Sequence, residues 1–270
     1  MIKSIYNRFY SDFLLPDRLV EMQRIIVAAK ENGYKHLTLP EYFDRITSTS
    51  KVETSNIFIH RHDIDTDVKT ARLFYKLEIQ EGIKTSYYFR QTTIDITLMK
   101  ELHYDGFEVG YHFEEIAQFC KDKKNYSSVF VRENMNEIQD IFLRNLKQLE
   151  KDLGFKIQTV ASHGDFVNRL LKIPNHELIT DEILKTAGLR FECYDKRLTE
   201  SYSILCSDNA YPQFYRGMSP VDAINSDKNI IHFLSHPRHW RSAPLENLND
   251  NIQRLVEGLS VKINKTKLNG

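Results

Sequence analysis

Glycine and proline are scarce in this 270-residue chain, at 10 and 7 residues, and neither is gathered into a Ser/Gly-rich or Pro-rich stretch. That excludes a flexible linker between domains. The length fills one large core, so the expectation is one continuous domain over residues 1–270. No fixed-period repeat is present. The three cysteines, Cys120, Cys193 and Cys206, are an odd number with no close pair; this excludes a disulfide framework and a zinc knuckle, and fits a reducing compartment. An excess of either charge is missing too, with 37 basic and 37 acidic residues. A balanced chain lacks the electrostatic footprint of a nucleic-acid binder, and the basic runs at 121–124 and 262–267 read as solvated surface. No apolar run is long enough to span a bilayer, and the opening "MIKSIYNRFYSDFLLPDRL" has neither an unbroken apolar core nor a small-residue cleavage site. The expectation is a soluble, cytoplasmic protein. A G-x-S-x-G elbow and a glycine-rich phosphate loop are also absent, which argues against a serine hydrolase and a phosphate binder.

What the chain does have is alternation. Short β-rich apolar segments at 57–62, 85–89, 107–111, 159–162, 189–193, 203–206 and 230–235 are separated by stretches of helical period. "VKTARLFYKLEIQEG" and "TLMKELHYDG" place apolar residues three and four apart and end in Gly82 and Gly106. Glycine is the usual residue just past a helix. Residues 129–153 read as one helix stopped by Gly154, and a last helix runs from Pro244 to near Gly258. Alternation of this kind predicts an α/β fold, a barrel or open sheet of parallel strands.

The polar residues are placed at one end of those strands. Asp63 and Asp65, in "HRHDID", follow the first segment; Arg90 follows the second, His112 the third, His163 the fourth, Tyr194 and Asp195 the fifth, Asp208 the sixth and His236 the seventh. In a (β/α) barrel the C-terminal strand ends converge on the face that carries the active site. Asp63 and Asp65 are two apart, so on a continuing strand their carboxylates share a side, where one can bind a metal while the other acts as base. The plainer reading is a turn that caps a helix beginning near Val68. His112 and His163 likewise read either as ligands or as satisfied loop histidines. Trp240, beside His236, suits a sugar-stacking wall or a cover for the barrel rim. Jointly, one carboxylate and two imidazoles from separate strands make a nitrogen/oxygen ligand set of the catalytic zinc type.

Four segments together resemble the polysaccharide deacetylase superfamily, the chitin and peptidoglycan deacetylase-like enzymes. "RHDID" stands where that family has its Asp-Asp motif and "GFEVGYHFEE" where it has H-x-x-x-H; "GLRFECYDKRL" and "IIHFLSHP" resemble its G-Y-D-S-S-L segment and its last His-bearing strand. The resemblance implies a distorted (β/α)7-type TIM-like barrel and a metal-dependent hydrolase, most simply with Zn2+, that removes an N-acyl group from a sugar. It implies Asp63 as general base, Asp65 as the metal carboxylate, His112 as the first metal histidine and His236 as the acid that protonates the leaving amine. Two positions depart from the pattern: Ile64 separates the aspartates, and Ile116 replaces the second metal histidine. His163 is taken as the third ligand on its strand-end position instead. Arg90, Tyr194, Asp195, Asp208 and Trp240 are read as substrate-binding. The expected partner is a carbohydrate or a nucleotide- or lipid-linked sugar. The alternatives are a catalytically degenerate barrel that binds a saccharide or partner, and a hydrolase for a non-sugar amide.

Overall fold

The computed structural model describes residues 2–48, 55–226 and 228–268. Packing divides them into two compact units: residues 1–109 with 195–247, and residues 110–194 with 248–270. The first unit contains β1 (Lys35–Leu37), β2 (Ile57–Ile64) and β3 (Ser86–Phe89). The dividing line falls within β4 (Glu108–Phe113), and β5 (Thr159–Ser162) and β6 (Phe191–Glu192) belong to the second unit. The chain then returns to the first unit with β7 (Ile204–Asp208), β8 (Tyr215–Arg216) and β9 (Ile230–Ser235).

In the first unit β2 is the central strand. Its first half pairs with β1 and its second half with β3 along one edge, and β9 pairs along the other edge; all three pairings are parallel. Beyond β9 lies β7, also parallel, and then the short antiparallel β8. All eight residues of β2 are buried, as befits a parallel strand covered on both faces. Helix Val68–Glu81 follows β2, started by the Asp67 side chain, which accepts from the Thr70 amide at 3.0 Å. It ends at Gly82, whose φ of 68° is the left-handed conformation open to glycine. The second unit pairs β4, β5 and β6 in parallel. Its long helix Met135–Leu153 ends at Gly154.

The α/β class expected from the sequence, parallel strands alternating with helices, is therefore present, and every expected strand is found. Two expectations change. The helix expected over 129–153 is two helices, Ser128–Glu133 and Met135–Leu153, parted at Asn134. The Asn134 side chain donates to the Phe130 carbonyl at 2.7 Å, a local bond that competes with the helical pattern. The last helix, Pro244–Leu268, runs past Gly258.

Candidate functional site

Because side chains alternate along a strand, "HRHDID" is divided between two faces of β2. His60 and His62 turn towards helix Val68–Glu81, where Glu78 meets both. Arg61 and Asp63 turn the other way and hold each other in a two-point ion pair: Nε donates to Oδ1 at 2.7 Å and Nη2 to Oδ2 at 2.6 Å, with both side chains buried. The cap of the following helix is Asp67, so the turn-capping reading does not account for Asp63 or Asp65. Just past β2, Thr93 Oγ1 donates to the Ile64 carbonyl at 2.6 Å and Arg90 Nη1 to the Asp65 carbonyl at 3.3 Å. Arg90 is itself buried, so its guanidinium fixes the backbone that carries Asp65.

At the end of the neighbouring strand β9 stands His236, with Pro237 opening a short turn behind it. Asp208, the last residue of β7, accepts from the His236 amide on Oδ2 and from Nδ1 of its ring on Oδ1, both at 2.7 Å. Burial works against a charged imidazole, but the Asp208 carboxylate outweighs it, helped by Asp65 and Asp63, and raises His236 from 6.5 to about 9. Burial likewise opposes the charge on Asp208, yet His239 and His236 hold that carboxyl well below its ordinary range. His236 is thus an imidazolium at neutral pH, a charged proton donor held by two hydrogen bonds. His239 Nδ1 stands 3.0 Å from the same Asp208 oxygen.

Three residues expected to bind substrate have other work. Trp240 is fully buried and donates from Nε1 to Asp208 Oδ2 at 2.9 Å. It packs against Phe74 and Phe233; a ring with no exposed face cannot stack on a sugar, so of its two readings the covering one holds. Asp208 is buried and engages His236 through both of its oxygens, so it positions that ring. Asp195 caps the short helix Lys196–Thr199 and pairs with Arg197.

In the second unit, β4 and β5 lie side by side with His112 opposite Ala161. His112 Nδ1 donates to the Ala161 carbonyl at 2.9 Å. His163, one residue past β5, donates from Nδ1 to Glu114 Oε2 at 2.9 Å, and the two imidazole centroids are 5.2 Å apart. With both Nδ1 atoms engaged, Nε2 is the nitrogen each ring could offer a cation, and a carboxylate or carbonyl behind a histidine is the usual support of a metal ligand. Imidazole nitrogens are donors that could hold a divalent transition-metal ion. The His163 backbone is held by its amide on the Phe113 carbonyl and by Asn175 on its own carbonyl. Glu192, at the end of β6, accepts from the amides of Ser162 and Tyr194 and so fixes both loops; the Tyr194 side chain is exposed. Ile116 is a buried core residue of helix Glu115–Lys123. Asp65 belongs to the first unit and is part-buried there.

Arg61, Glu114 and the positioning role of Asp208 were missed from the sequence. Strict alternation along β2 would have put Arg61 on the side of Asp63, and the signal for Glu114 was its place two residues after His112.

No protein-family model and no curated protein matches the chain. Among solved structures it is similar to the Streptococcus pyogenes deacetylase PplD in complex with acetate, at 14% identity and a TM-score of 0.37 over 55% of this chain; it spans less than two thirds of that structure, 65%. It is similar also to IcaB from Ammonifex degensii, at 14% identity and a TM-score of 0.46, over 67% of this chain and 79% of that one.

Proposed function

We propose that the chain is a divergent metal-dependent hydrolase of the polysaccharide deacetylase type, which removes an N-acyl group, N-acetyl in the first instance, from a sugar or saccharide precursor. The observation that carries this reading is the pair His112 and His163, two imidazoles whose Nδ1 atoms are held by Ala161 and Glu114. Asp65 is taken as the carboxylate ligand, as the resemblance of "RHDID" to the family's Asp-Asp motif implies. A cation bound by such a set polarises an amide carbonyl and acidifies water. Asp63 is the base that removes the water's proton, and His236 returns a proton to the nitrogen as the C–N bond breaks. An amide needs that donor, because an unprotonated amine anion is a very poor leaving group. The charged state of His236 at neutral pH supports the assignment.

One observation favours the degenerate, saccharide-binding reading: both oxygens of Asp63 are engaged by Arg61, and a carboxylate in a two-point pair with a guanidinium is a weak base. One experiment separates the two. The protein is purified, its zinc content measured, and acetate release followed from N-acetylglucosamine oligomers and from nucleotide-linked N-acetyl sugars. Turnover that is lost on chelation and restored by Zn2+ supports the hydrolase. Saccharide binding without acetate release in the zinc-loaded protein overturns it in favour of the binding module.

A further inference from the structure

β2 carries a second polar cluster that this chemistry leaves unused. On its helix-facing side His60, His62 and Glu78 are all fully buried. Glu78 Oε1 stands 2.7 Å from His62 Nε2 and 3.6 Å from His60 Nδ1, and the two imidazole centroids are 4.0 Å apart. One ligand atom from each residue lies within 4.8 Å of the others. The atoms on the far side of each group are all engaged. His60 Nε2 and His62 Nδ1 both contact one hydroxyl, Ser235 Oγ, at 3.1 and 2.7 Å. Glu78 Oε2 accepts from Tyr87 at 2.5 Å and from Thr85 at 3.0 Å.

On the near side the match fails at one nitrogen. His60 Nδ1 is fully buried, stands 3.6 Å from Glu78 Oε1, and has no hydrogen-bond partner among the described residues. A buried polar atom without a partner is costly. A single proton between Glu78 Oε1 and His62 Nε2 serves one of the two nitrogens; a cation among the three atoms serves both nitrogens and the oxygen.

We propose that His60 Nδ1, His62 Nε2 and Glu78 Oε1 bind a divalent transition-metal ion, Zn2+ by their donor types, which ties β2 to helix Val68–Glu81. In that state each ring carries its hydrogen on the far nitrogen, and both donate to Ser235 Oγ, whose two lone pairs accept them. Tyr87 and Thr85 hold the far carboxylate oxygen. Every outer atom then has a partner of the right polarity, which is how supporting groups orient the ligands of a metal. Two imidazoles and one carboxylate suit zinc, where calcium and magnesium take oxygen ligands.

The test uses the full-length double variant His112→Ala/His163→Ala, so that zinc at the catalytic pair does not contribute. It is loaded with Zn2+, desalted and analysed for metal. The expected result is about one zinc per chain, as for a site with three protein ligands, and a Tm that rises with added Zn2+. Adding Glu78→Gln, which keeps the side chain's shape, is expected to remove both the bound zinc and the Tm rise. A Co2+-loaded sample of the double variant gives a reading on the intact cluster even if the triple variant fails to fold, and a tetrahedral visible spectrum is expected. A double variant that holds no zinc, a triple variant that holds as much as the double, or an octahedral Co2+ spectrum overturns the proposal.

Discussion

One face of β2 presents His60 and His62 to Glu78, Ser235 and Tyr87, whereas the other presents Arg61 and Asp63 on the side whose charge His236 feels. Both faces are buried and both are polar, yet they differ in charge. On the helix-facing side burial lowers both imidazoles and raises Glu78 to about 7, which disfavours charge on all three. On the opposite side Arg61 pairs with Asp63, and His236 with Asp208, so charge is kept by neighbours that offset its desolvation. Titratable residues in a buried strand therefore do not mark a reactive site by themselves. What separates the two faces is whether each charge has a partner of opposite sign.

The largest effect expected to sharpen this contrast comes from Asp63→Asn. If Asp63 is the base, the variant keeps its zinc and loses roughly 10²–10⁴-fold in turnover. Because removing one partner of a buried pair costs on the order of 3–5 kcal/mol, the rate is compared per folded molecule. Zinc lost together with turnover would make Asp63 a ligand and reverse the roles of the two aspartates.

Next is His236→Ala, which should slow acetate release from an N-acetyl sugar far more than nitrophenol release from nitrophenyl acetate, since the second leaving group departs without a proton. Equal losses on both substrates would make His236 a ligand or a structural residue.

A smaller effect, read as a shift in pH, belongs to Asp208. His236 is raised from 6.5 to about 9 in the folded protein. The stability it contributes is fully present below pH 6.5 and is lost as pH rises through about 9. The high-pH limb of turnover should fall in the same region. Asp208→Asn should move that limb to lower pH and remove the stability change between 6.5 and 9. An unmoved limb would assign it to another group.

Smallest is Asp67→Ala, which removes the cap of helix Val68–Glu81 and should lower stability by about 1 kcal/mol in a urea titration. Turnover per folded molecule should be unchanged, unlike that of Asp63→Asn four residues earlier. A matching loss of turnover would mean that this whole segment acts as one unit.

Much of this arrangement could be read from the chain, because a parallel strand covered on both faces is a run of apolar residues and its C-terminal end is where polar residues resume. That logic placed Asp65, Arg90, His163 and His236 immediately after strands that exist. Shorter elements escaped it. β1 and β8, with three and two residues, carry too little pattern to be seen. Asn134 interrupts an apolar periodicity that continues on either side. Trp240 and Asp208 were legible as polar or aromatic residues near a strand end, but not as partners of each other, since that needs the 32-residue separation to be closed by folding. Reading "HRHDID" as a single cluster also hid its division, although the alternation that makes it is a property of any strand.

The division has a consequence for how β2 finds its place. A slip of one residue against β3 or β9 would exchange its faces, turning Arg61 and Asp63 against Phe74 and Glu78 and leaving His60 and His62 where the ion pair had been. An all-apolar strand, buried on both sides, would tolerate that error with little change in burial. Here the misregistered chain would meet unmatched polarity on each side at once, so the alternating polarity of these six residues disfavours the slipped register.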